Sequence, residues 1–158
     1  MRPLSFAPLF ATVAAATLAL AGCNQGASPE TTPNNGIALS EGKLVLPAVK
    51  GNPGAAYFTI ANKGDKPIRL AAVEVAGTGM AMFHETMEMD GHSTMQDMTA
   101  PEVKAGEIVT FAPGGKHVMV HDVPDSLAAG KAVTMTITTE DGQKATTPLK
   151  VTKPGMVD

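Results

Sequence analysis

From Lys43 to Val151 the chain is a succession of short apolar runs, each interrupted by Gly, Pro or Asp before a helical period can become established. An amphipathic helix needs apolar residues every three to four positions over ten or more residues, whereas a strand needs only a few in alternation. The pattern predicts strands at Lys43–Val49, Ala55–Ala61, Ile68–Val75, Met80–Met89, Thr94–Met98, Glu107–Phe111, Lys116–Val123, Ala132–Thr139 and Lys144–Val151. Lys50-Gly51-Asn52-Pro53-Gly54 and Asn62-Lys63-Gly64-Asp65-Lys66-Pro67 read as turns, and Asp141-Gly142 as a tight hairpin. A single helical turn is expected at Ser126–Gly130. The prediction is an all-β sandwich or barrel of about 110 residues.

The segment before this domain has a different character. Leu4 to Ala21 is an Ala-rich apolar run preceded by Arg2 alone, and it ends in Leu20-Ala21-Gly22-Cys23. Small residues before a cysteine resemble the bacterial lipoprotein box, which implies cleavage after Gly22 and lipidation of Cys23. An uncleaved anchor or an ordinary signal peptide with an incidental Cys is the alternative reading. Residues 1–22 are thus expected to be a lipoprotein signal peptide and 23–42 a polar, flexible tether. Residues 43–152 form the domain and 153–158 a tail. The resemblance implies a periplasmic, membrane-anchored protein, with Asn24 after the Cys leaning towards the outer membrane. Cys23 is the only cysteine, so with it lipidated no disulfide or thiolate ligand is available to the domain.

Composition narrows the partners. Without residues 1–22 the chain carries eleven basic and fifteen acidic side chains, which argues against nucleic acid, whose phosphates need clustered Lys and Arg. Aromatic residues are too scarce for a stacking platform. Methionine is abundant instead: seven of the ten lie between Met80 and Met119. Alternation along Lys116–Val123 puts His117, Met119 and His121 on one face, with Val118 and Val120 on the other. Met80, Met82 and His84 share a face in the same way, although Met80 and Met82 are read as core packing, as is Met135. Thioether sulfur is a soft donor that selects Cu(I), and imidazole suits copper in either oxidation state. Zn(II) favours thiolate, more imidazole or carboxylate, and Ca(II) or Mg(II) favours oxygen.

His84, ten residues, Met95, twenty-one residues, His117, one residue and Met119 is a spacing that resembles the periplasmic copper(I) chaperones of the PCuAC type. Pro113-Gly114-Gly115-Lys116-His117-Val118-Met119-Val120 resembles that family's glycine turn and ligand strand. The resemblance implies a cupredoxin-like β-sandwich with Greek-key-type strands and a Cu(I) site at His84, Met95, His117 and Met119. It further implies delivery of copper to a protein such as cytochrome oxidase subunit II, alongside a Sco-like thiol protein. Met87, Met89, His92, Met98 and His121 are additional candidate donors, His121 standing where relatives often carry Met.

Other readings remain beside this one. A copper-buffering or resistance lipoprotein would use the extra donors to bind more than one ion, and a structural lipoprotein would bind none. An enzyme is not expected. His84-Glu85-Thr86-Met87-Glu88 lacks the second His of a zinc-protease helix, Gly77-Thr78-Gly79 lacks the context of a nucleotide loop, and a blue-copper centre needs a Cys thiolate.

Overall fold

The computed structural model describes residues 36–155 apart from Asp90. The expected signal peptide, Cys23, most of the tether and the last three residues of the tail lie outside the described residues. Ten strands are present: β1 (Ile37–Val45), β2 (Gly54–Asn62), β3 (Ile68–Val75), β4 (Ala81–Met89), β5 (His92–Asp97), β6 (Glu102–Val103), β7 (Ile108–Phe111), β8 (Lys116–Val120), β9 (Ala132–Thr139) and β10 (Lys144–Thr152). The all-β expectation holds.

The differences from the sequence reading are local. Strand β1 begins at Ile37, inside the segment expected to be tether, because Ile37 and Leu39 reach the core from a stretch otherwise too polar to register as a strand. Strand β8 stops at Val120, three residues short of expectation, and β6 was not foreseen, being only two residues long. Residues 124–131 make two successive turns, with Leu127 N–H donating to Pro124 O and Lys131 N–H to Ala128 O, where a helical turn was expected.

The strands follow the order β5-β4-β8-β2-β1-β10-β9-β3-β6, with β7 also paired to β2. All neighbours are antiparallel except β1 and β10, which run parallel from Lys43↔Lys150 to Val45↔Thr152. Strand β1 joins the two halves of the sheet, and a register irregularity between Ser40 and Lys43 lets it bend from one to the other. Strict alternation along β2 and β10 drives one face of each strand inward. The core holds Leu44, Phe58, Ile60, Leu70, Val118, Met135, Leu149 and Val151, all fully buried. Phe58 and Phe111 stack at 4.4 Å, and Phe83 leans on Phe111 at 5.8 Å. These three rings lie beneath β4 and β8 and fix the inner side of the sheet that carries the candidate donors.

Candidate metal centre

The β4–β8 ladder sets the geometry. Its register pairs Met82 with Met119, Phe83 with Val118, His84 with His117 and Glu85 with Lys116. Residues directly opposite in an antiparallel pair point to the same side. Phe83 and Val118 therefore face the core, and Met82, His84, His117 and Met119 share the other face. Lys116 Nζ donates to Glu85 Oε1 at 2.7 Å, a cross-strand ion pair adjoining the two histidines.

Strand β5 completes the face from the far side of β4. Pairing of Met89 with His92 across the intervening turn places Met95 opposite Thr86 and Asp97 opposite His84. Met95 thus lies on the face that carries His84, one step along the ladder. The four residues singled out by spacing, His84, Met95, His117 and Met119, are gathered on one side of three adjacent strands.

Before β8 the chain turns at Ala112-Pro113-Gly114-Gly115, where Gly115 N–H donates to Ala112 O at 3.1 Å. Pro in the second position and Gly114 in the third, at φ 80°, are the signature of a type II turn. The turn presents the Gly115 carbonyl to His117 Nδ1 at 3.0 Å. A carbonyl only accepts, so Nδ1 carries the proton, and the Nε2 lone pair is left for a metal ion.

Both histidines are buried, His84 at 7% and His117 at 6% exposure, whereas Met95 is 49% exposed and Met119 half-buried. The imidazoles are thus sunk and the thioethers form the rim. Asp97 Oδ1 approaches His84 Nε2 at 3.3 Å, but not in hydrogen-bonding alignment, so both ring nitrogens of His84 lack a hydrogen-bond partner. Burial lowers the His84 pKa, Asp97 acts against that, and the neighbouring His117 and His121 lower it further. A neutral imidazole with an unused lone pair is the form that binds a metal.

The two rings lie 5.9 Å apart between centroids. A nitrogen sits about 1.2 Å from its ring centroid and a metal–nitrogen bond is about 2.0 Å, so one shared ion allows centroids up to about 6.4 Å apart. The observed spacing fits. Among the described residues no three of His, Cys, Asp and Glu come together as a metal-holding group. Beside the two imidazoles this face carries the sulfurs of Met82, Met95 and Met119, with the exposed Asp97 carboxylate at its edge.

The additional candidates separate. His121 continues the donor face of β8, its N–H donating to Met80 O at 2.8 Å. Met87, Met89 and His92 occupy the reverse face of the β4–β5 hairpin, pointing away from His84 and Met95. Met98 follows Phe83 to the inner side, where its N–H donates to Phe83 O and its side chain packs against the core. Met80 and Met82 depart from their expected place in the core: Met80 is 60% exposed, and Met82 stands half-buried opposite Met119. Sequence reasoning missed Met82 and Asp97 as neighbours of the site. The signals existed, in the alternation of Met82 with His84 and in the register that a two-residue Asp-Gly hairpin imposes.

Comparison with known proteins agrees with this architecture. The chain is 29% identical over 143 residues to "Putative lipoprotein Lxx21020" of Leifsonia xyli subsp. xyli, covering 89% of this chain and 85% of that protein. It is similar to the copper-bound PCuAC domain from PmoF2, at a TM-score of 0.63 and 26% identity over 79% of this chain and 98% of that domain. The solution structure of CuI-DR1885 from Deinococcus radiodurans has the same fold, at a TM-score of 0.60 and 24% identity over 84% and 87% of the respective chains. The fold is therefore the cupredoxin-like β-sandwich of PCuAC domains. The family model described as "Putative lipoprotein LpqE-like" matches residues 37–151, and the chain belongs to this LpqE-like family.

Proposed function

We propose that the protein is a Cu(I)-binding metallochaperone, a carrier rather than an enzyme, and that His84, Met95, His117 and Met119 hold the ion. The observation that carries this reading is the convergence of two buried imidazoles and two thioethers on one face of β4, β5 and β8. The donor set favours a soft monovalent ion, and similarity to a copper-bound PCuAC domain supports copper as the cargo.

The arrangement suits transfer. The imidazoles anchor the ion from below, while Met95, on the exposed edge strand β5, is the donor that solvent and a partner reach first. An incoming ligand would displace Met95 while the histidines still hold the ion. The acceptors we propose are a copper-site protein such as cytochrome oxidase subunit II and a Sco-like thiol protein. The place of action is the periplasm, with the chain anchored to the membrane through lipidated Cys23; the "lipoprotein" in the name of its Leifsonia relative supports this location.

Titration of the His117→Ala/Met119→Ala variant against a colorimetric Cu(I) chelator tests the ligand set. Affinity is expected to fall more than 100-fold, beyond the 10–100-fold typical when only a supporting contact is lost. Wild-type affinity in that variant would remove the assignment.

A further inference from the structure

Six soft or imidazole donors stand in three cross-strand rows on the outer face of β4 and β8. His84 faces His117, and Met82 faces Met119. One residue beyond the ladder the same register sets Met80 against His121, joined by the His121 N–H bond to Met80 O. The Cu(I) set proposed above draws on the first row, on Met119 and on Met95. Met80, Met82 and His121 are left without a role.

Two features of that remainder have no structural purpose of their own. The buried Nε2 of His121 has no hydrogen-bond partner, a costly state for a polar atom away from water. Met80 is a large apolar side chain left mostly in solvent beside it. The backbone nevertheless holds this row firmly. Gly79 N–H donates to His121 O at 3.0 Å, and Asp122 takes φ 50°, a conformation uncommon for a residue other than glycine. The Asp122 side chain lies across Gly79 so closely that a Cβ there would fall 2.4 Å from Oδ2. A carboxylate is thereby packed beside the residue that precedes Met80, where it would favour a cation.

Resting on the reading of the first site, we propose that Met80, Met82 and His121 form a second site for Cu(I) on the same face. Two thioethers and one imidazole suit a three-coordinate soft monovalent ion and are a poor set for zinc. Alternate residues on a strand are about 6.7 Å apart, so the two ions would lie roughly 7 Å from one another. Their mutual repulsion at that distance weakens the second binding step on the order of tenfold. The rows then form a track along which an ion can pass between the deep imidazole pair and the exposed Met80 end.

Anaerobic Cu(I) titration of the full mature chain, with a chelator competitor and nitrogen-15 spectra of the histidine rings, tests the site. The wild type is expected to bind two ions, with the His121 ring signals moving at the second equivalent. Met80→Leu, which keeps the side-chain volume, and His121→Asn are each expected to reduce the capacity to one and to leave the first affinity within about twofold. Saturation of the wild type at one ion overturns the proposal, as does retention of two unweakened sites in both variants. His117→Ala/Met119→Ala reports on the first site separately, since its effect falls on the stronger step.

Discussion

At the residue scale, a methionine's role here is decided by the side of the sheet on which it falls. Met135 is fully buried between Val133 and Ile137 on β9 and is ordinary core. Met119, chemically identical, points to the outer face between His117 and His121 and is available to a metal. His84 illustrates the same dependence through its titration. Burial lowers its pKa below the ordinary 6.5, with His117 and His121 adding to the shift and Asp97 opposing it. In the unfolded chain the ring titrates near 6.5. Between the lowered folded value and about 6.5 the unfolded chain binds more protons, so the His84 contribution to stability is complete above that range and declines as pH falls through it. Denaturant titrations of the metal-free domain should show stability declining as pH falls below about 6.5, at up to about 1.4 kcal/mol per unit for one proton. His84→Gln should flatten that slope; an equally steep slope in the variant would show that another group is responsible.

At the scale of elements, the turn into β8 and the β4–β5 hairpin are the parts that assemble the site. Gly114 at φ 80° lets the chain reverse so that the Gly115 carbonyl meets His117 Nδ1 and β8 enters in register with β4. Gly114→Val places a β-branched residue in a left-handed conformation, with an expected cost of about 1–2 kcal/mol. The lost positioning of His117 should also weaken Cu(I) binding, within the 10–100-fold range of supporting contacts. Urea denaturation and chelator competition on the same preparation separate the two effects, and unchanged Cu(I) affinity would show that the turn does not position the ring. The hairpin divides its donors by register. It turns Met95 towards His84 and sends Met87, Met89 and His92 to the reverse side, so richness in methionine along this stretch does not translate into richness at one centre.

At the scale of the molecule, His84 and His117 lie 33 residues apart in sequence and meet through the pairing of β4 with β8, while Met95 joins them through the local β4–β5 hairpin. The donor set is therefore assembled only in the folded chain, above the core of stacked Phe58 and Phe111. Cu(I) at 100 times its Kd should add about 2.7 kcal/mol to stability, seen as a rise in thermal midpoint under anaerobic conditions. The increment should shrink in His117→Ala/Met119→Ala, since the stronger binding step is lost. A metal-free structural lipoprotein would show no copper-dependent shift in the wild type.

What the sequence determined by itself was local in origin. Turn dipeptides and alternation dictated nearly every strand, because both depend on neighbouring residues, and Ile68–Val75 and Ala132–Thr139 occur within their predicted bounds. The spacing of His84, Met95, His117 and Met119 marked four candidate donors, and alternation put His121 beside them. Tertiary structure alone decided which donors meet, since that depends on the pairing of β4 with β5 and β8. Alternation says that two faces exist without saying which one the core will cover. Met98 went inward behind Phe83, while Met80 and Met82, expected inside, went out. The same pairing sank the imidazoles and left the thioethers at the rim.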